Sequence, residues 1–377
     1  MSRLNWRKLF NEERVRKSTA LKGHRNAFEI DYDRIVGSSS VRRLQDKAQV
    51  FPLQENDFTR TRLTHSLEVS AIASSLGKAV EAQLLDLPAA DGDGFVQEDA
   101  NKLPAMLRTA GLAHDLGNPP FGHYGEEIIQ KWFRAYFENA KSIYKDYNEF
   151  FVPRLNELQM SDFSNFDGNV QNIRILTKLQ MLNDPFGVNF TYATLASLIK
   201  YPWNSLGKAL NGNEISSKQG KFGYFQSEEH LIKKIWSRTG LRDGVRHPAT
   251  YLLEAADDIT YICDDIEDGV KKGLIDWEKE FSALAYKVEK KKKDEFCGKE
   301  YVDLIEQYKD DIIMNGEFGE RELTTDAHMN RFVAHLRSIT RDNCFCSKEI
   351  LSLELVGDRV ITKLLDIYIP TVIRSSK

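Results

Sequence analysis

Six apolar residues after Pro248 set the framework of this chain. Leu252, Ala256, Ile259, Cys263, Ile266 and Val270 advance in steps of four, three, four, three and four. Only an α-helix turns that spacing into one continuous face, here roughly six turns long with one side buried. Carboxylates crowd the same segment. Asp257-Asp258 falls mid-helix, and Asp257, Tyr261 and Asp265 recur at i, i+4 and i+8 as a polar ridge beside the stripe. Carboxylates that flank a buried face need a partner.

Other segments share the helical period. Leu63, Leu67, Ile72, Leu76 and Val80 predict one helix. Leu103, Leu107, Ala110 and Ala113 predict another, with Pro104 in its first turn and Gly117 as its stop. Ile173, Leu176 and Leu179, then Leu195, Leu198 and Ile199, predict two more. Strand-like alternation is scarce, and Phe222–Phe225 reads as turns or a small hairpin. Residues 89–99 and 211–223 read as loops between helices. The expectation is an all-α chain: one large helical domain over 1–270, and a helical extension over 271–377 packed on it.

Composition serves mainly to exclude. With 52 basic and 56 acidic residues the net charge is −4, which argues against a dedicated duplex-DNA binder. Basic residues do cluster within 1–25 and at Lys290–Lys293. Both runs read as solvated or packed surface, with contact to a polyanion or another subunit as the functional alternative for the first. The four cysteines form no C-x-x-C pair, so neither a zinc ribbon nor a disulfide framework is indicated. No apolar run approaches the ~20 residues of a membrane span. The first residues carry no apolar signal segment. A cytoplasmic chain in a reducing compartment, with no membrane partner, is expected.

The chemistry concentrates in His114-Asp115 and the run Leu116-Gly117-Asn118-Pro119-Pro120-Phe121-Gly122-His123-Tyr124-Gly125-Glu126. A buried His beside a buried Asp is costly unless the two are paired or bind a metal. His65 lies inside an apolar-periodic helix and Asp257 inside the Pro248 helix. Two neutral nitrogens with two hard oxygens suit Mn, Mg, Fe, Co or Zn. His123 and Glu126 share a face if Gly122 opens a helix.

His65, His114-Asp115 and Asp257, in that order, resemble the H…HD…D pattern of the HD superfamily of metal-dependent phosphohydrolases. Longer strings resemble bacterial deoxyguanosinetriphosphate triphosphohydrolases: 43–52, 60–68, 114–126, Phe166–Asn169, Lys200-Tyr201-Pro202 and 254–261. The likeness covers roughly 20–270. It implies an HD-domain phosphohydrolase fold and hydrolysis of a deoxynucleoside triphosphate, dGTP first, to deoxynucleoside and tripolyphosphate. It implies one divalent ion on His65, His114, Asp115 and Asp257, with Asp258 the alternative fourth ligand. His123 and Glu126 match the family's catalytic pair, with His123 either activating water or protonating the leaving group. Arg62, Lys200 and Lys221 are candidate triphosphate contacts, and Asn169 and Tyr201 would add hydrogen bonds. Tyr261 matches the residue that packs on the deoxyribose, and Gln49 and Asp265 those that hold its 3′-hydroxyl. A homo-oligomer is implied, and single-stranded nucleic acid is a candidate effector. The competing readings are another HD activity (5′-nucleotidase or nucleotide phosphodiesterase) and a silent nucleotide sensor or single-strand-binding scaffold.

Overall fold

The computed structural model describes residues 4–17, 24–52, 58–86, 95–143, 155–180, 186–215, 220–276, 278–280 and 330–375. Its main helices are α1 (Ala27–Val36), α2 (Arg62–Asp86), α3 (Lys102–Ala113), α4 (Gly122–Ile143), α5 (Gly168–Arg174), α6 (Tyr192–Ser197), α7 (Glu229–Thr239), α8 (Pro248–Lys271), α9 (Asn330–Thr340) and α10 (Lys348–Ser375). Among the described residues, β pairing is limited to isolated bridges such as Arg14 with Thr191 and Ala48 with Thr61. The fold is all-α. Among those residues no helix is long and apolar enough to cross a membrane.

The Pro248 stripe is α8. It opens on His247, whose Nδ1 accepts the Ala249 N–H at 3.1 Å, with Pro248 in the first position where no donor is needed. Helices α2 and α3 pack against each other closely, and α8 lies on both. The closeness comes from small residues. A methyl at Gly111 would sit 2.6 Å from the Ser70 Cα, and one at Gly77 would sit 3.0 Å from the Pro104 Cα.

Several sequence expectations change. Leu67 is 46% exposed, because α2 buries His65, Val69, Ala73, Leu76 and Val80 instead. Leu179 is exposed too: the segment after Arg174 widens into a π turn over Ile175–Leu179 that rotates it outward. Gly117 does not stop α3, which ends at Ala113. Instead it is pressed against α5, where a methyl would meet the Gly168 carbonyl at 2.0 Å. Cys263 of the Pro248 stripe is exposed. Of the two readings of Phe222–Phe225 the hairpin does not form: the segment is a loop bent at Gly223, with Phe222, Tyr224 and Phe225 buried.

The described part of the N-terminal arm is packed. Leu4, Trp6, Leu9 and Phe10 are buried, and Arg14 pairs with fully buried Asp31. Lys290–Lys293 lie outside the described residues. Beyond residue 330, α9 lies on α8 and α10 runs along α4, where the Trp132 indole donates to Asp366 at 2.8 Å.

Candidate metal centre

Three helices bring the ligand candidates together. His65 sits one turn into α2, His114 and Asp115 follow the last turn of α3, and Asp257 lies midway along α8. Ligand atoms of His65, His114 and Asp115 all lie within 4.8 Å of one another. Asp257 Oδ1 is 3.0 Å from His65 Nε2 and 3.5 Å from His114 Nε2. Asp258 points elsewhere, to Arg337 at 3.2 Å, so the geometry favours Asp257 as the fourth group.

The surroundings hold these side chains in place. Asp264 reaches His65 Nδ1 at 3.3 Å, and Arg60 holds Asp264 along with Glu68, Glu267 and Asp268. The Gly111 carbonyl takes His114 Nδ1 at 2.7 Å, leaving Nε2 to face inward. Asp115 accepts from Asn118 at 2.7 Å through one oxygen and from Arg62 through the other. Such outer partners fix the tautomer and direction of metal-binding groups.

Electrostatics point the same way. Burial works against a charged His65, but its hydrogen bonds to the accepting carboxylates of Asp257 and Asp264 carry it up to about 10. His114 is raised by Asp115 and Asp257 against the same burial. Burial would raise Asp257, but the two imidazoles hold it well below the usual carboxylate range. The carboxylates thus favour positive charge at this spot, which a bound cation would supply. His114 Nε2 is buried with no hydrogen-bond partner, an orphan that a cation would satisfy. Two imidazole nitrogens and two carboxylates fit a divalent ion.

Beside this cluster stands His123, in the first turn of α4 and 82% exposed. Its Nδ1 lies 3.0 Å from Glu126 Oε2, and buried Glu126 takes the Gly168 N–H on Oε1 at 2.7 Å. The Glu126 hydrogen bond raises the imidazole's pKa.

The remaining candidates divide. Lys200 pairs with buried Glu254 at 2.9 Å, which Arg246 also reaches at 2.7 Å, and Tyr201 lies under both cations. Lys221 and Asn169 both bind Asp167, at 2.8 and 3.0 Å. Asp265 is buried with Oδ1 unpartnered, and burial pushes it up to about 7. Gln49 is half-buried with Oε1 unpartnered, next to the Ala48–Thr61 bridge that leads into α2. The Arg337 guanidinium lies 5.6 Å over the Tyr261 ring.

Sequence reasoning missed Asp264, Arg60, Asn118, Asp167, Arg246 and Arg337. It missed Lys47 too, which donates to the Leu116 and Asn118 carbonyls at 3.3 and 2.7 Å. Asp264 had a signal: it follows Asp257 by seven and so shares its face of α8. Arg337 had none, because nothing in α9 hints at its neighbour.

The HD domain family matches residues 62–160. A deoxyguanosinetriphosphate triphosphohydrolase-like protein of Listeria innocua is 40% identical, over 98% of this chain and 84% of its own length. A like-named protein of Pseudomonas aeruginosa is 38% identical over 73% of this chain and 59% of its own. A deoxyguanosinetriphosphate triphosphohydrolase of Klebsiella pneumoniae is 29% identical over 98% of this chain and 81% of its own length.

Proposed function

The chain belongs to the deoxyguanosinetriphosphate triphosphohydrolase-like family of HD-domain proteins, and from that premise we propose that it hydrolyses deoxynucleoside triphosphates, dGTP first, to deoxynucleoside and tripolyphosphate. The convergence of both imidazole Nε2 atoms on Asp257 Oδ1, beside Asp115, carries this reading. His65, His114, Asp115 and Asp257 would hold one divalent ion: Mn, Mg, Fe, Co or Zn. Bound there, the ion supplies Lewis acidity and a template at the α-phosphorus.

The other steps belong to the side chains. Glu126 accepts the Nδ1 proton of His123 and so leaves the Nε2 lone pair to take a proton from water. The mirror assignment has protonated His123 give its proton to the departing deoxynucleoside. Lys200 and Lys221 can exchange their present carboxylate partners for phosphate oxygens, with Arg62, Asn169 and Tyr201 beside them. Tyr261 would lie against the deoxyribose. The unpartnered oxygens of Gln49 and Asp265 would receive its 3′-hydroxyl. A site built to bond a hydroxyl rejects analogues that lack it.

Residues 1–270 form the catalytic unit in this reading, with 271–377 packed on it. We also propose a cytoplasmic homo-oligomer. On α10, Val356, Val360, Leu364, Tyr368 and Val372 form an i, i+4 row, each about half exposed or more, and contiguous apolar surface of that kind marks contact sites. Single-stranded nucleic acid stays a candidate effector.

A pair of variants tests the assignment. His123→Ala should abolish turnover while keeping the metal, whereas Asp257→Ala should lose the metal. Near-normal turnover by His123→Ala would defeat the role given to it.

A further inference from the structure

The turn before His123 is strained, and one of the two contacts that hold it comes from outside the HD-matched segment. Phe121 has φ +66° and Gly122 φ +53°. A bulky side chain in the left-handed region persists only where its surroundings enforce it. Here they do so from two sides. On the metal side, the Arg62 guanidinium, which binds Asp115, lies 2.7 Å from where a Gly122 methyl would stand. On the outer side, the Phe121 ring rests on bare backbone of α10 at Gly357. A methyl there would come within 2.8–2.9 Å of Cδ2, Cε2 and Cζ of the ring.

His123 needs this support. It is exposed, and its imidazole Nδ1 bonds to Glu126. Glu126 itself is fixed by Gly168. The aim of the imidazole therefore depends on the backbone that delivers it, the Pro119–Gly122 turn. The Gly122 N–H donates to the Pro119 carbonyl at 3.1 Å, and the Gly125 N–H to the Phe121 carbonyl at 3.3 Å.

We propose that α10 is a clamp on the catalytic turn: the side-chain-free surface at Gly357 seats the Phe121 ring and so holds the left-handed step that aims His123 at the metal centre. Gly357 and Phe121 are positioning residues. The inference rests on the reading of His123 as a catalytic group. It gives the segment beyond residue 270 a part in catalysis without contact to substrate.

The test uses the full chain with dGTP and Mn. Gly357→Ala and Gly357→Val should lower kcat in order of size, by about 10- to 100-fold for valine, as misplacement by about an ångström does. KM and metal per chain should hold within about twofold. Phe121→Ala should lower kcat similarly, and adding Gly357→Val to it should cost little more, because both remove one seat. A merely structural role would lower thermal stability and metal content and leave the kcat of folded protein unchanged. Unchanged kcat in Gly357→Val, or full additivity with Phe121→Ala, overturns the clamp. His123→Ala is measured alongside. If it is active, the reading of His123 fails. If it is dead while Gly357→Val is normal, the clamp alone fails.

Discussion

Glu126→Gln changes one atom and tests the logic of the His123 pair. A carboxylate accepts at both oxygens, and here both are used: the Gly168 N–H at 2.7 Å and His123 Nδ1 at 3.0 Å. An amide accepts at one end and donates at the other. The Gly168 N–H cannot become an acceptor, so the amide oxygen must face it and the NH₂ must face His123. The imidazole then offers a bare Nδ1, which moves its proton to Nε2, the nitrogen that should hold the lone pair. A charge-assisted hydrogen bond, worth about 1.5–3 kcal/mol, is lost as well. The same tautomer inversion in a serine-protease triad lowers kcat about 10⁴-fold. We expect a fall of about 10²–10⁴-fold, roughly 3–5 kcal/mol of barrier, with KM and metal content little changed. Steady-state kinetics on dGTP from pH 5.5 to 9 reads it. The substitution also lowers the His123 pKa, because the Glu126 bond is the main cause of its elevation. The acid limb of kcat shifts down if His123 is the base, and the alkaline limb if it is the acid. A Glu126→Gln enzyme within about threefold of the parent would refute the reasoning.

Metal binding should release protons. His65 is held up to about 10 without a cation, so a divalent ion must displace its proton, and affinity should climb as pH rises from 6 to 8. Titration calorimetry in buffers of different ionisation heat reads the release, and none would contradict the charge assignment. Asp265→Asn should stabilise the metal-free chain at alkaline pH. Burial lifts the folded pKa from 3.8 to about 7, so the folded state binds more protons between those values and loses stability as pH rises through them. The penalty is at most about 4 kcal/mol above pH 7 and absent below pH 4, read by thermal melts in EDTA. The same variant should lose preference for dGTP over its 3′-deoxy analogue. Gly117→Ala should cost about 3 kcal/mol, because its methyl would meet the Gly168 carbonyl at 2.0 Å. Parental stability in urea would contradict that close approach.

What could be read from sequence followed the physics of each interface. The α8 stripe was legible because Leu252, Ala256, Ile259, Ile266 and Val270 face apolar neighbours, although Cys263 in the same stripe is exposed. The α2–α3 contact was not, since Ser70, Gly77 and Gly111 make it by being small, and hydrophobic period is blind to that. Leu67 was misplaced for this reason. The two histidines and two aspartates stood out because charge beside apolar periodicity is expensive. Their supports did not: Arg60, Asp167 and Arg246 look like ordinary surface charge until the fold buries them or their partners. Gly357 was invisible, because a glycine in a helix reads as a weak point rather than a seat.

The most direct test of the central claim is separation of the products of dGTP hydrolysis by ion-exchange chromatography, with Mn and Mg in turn. Deoxyguanosine and tripolyphosphate in equal amounts is the predicted result. A deoxynucleoside monophosphate with pyrophosphate would contradict it.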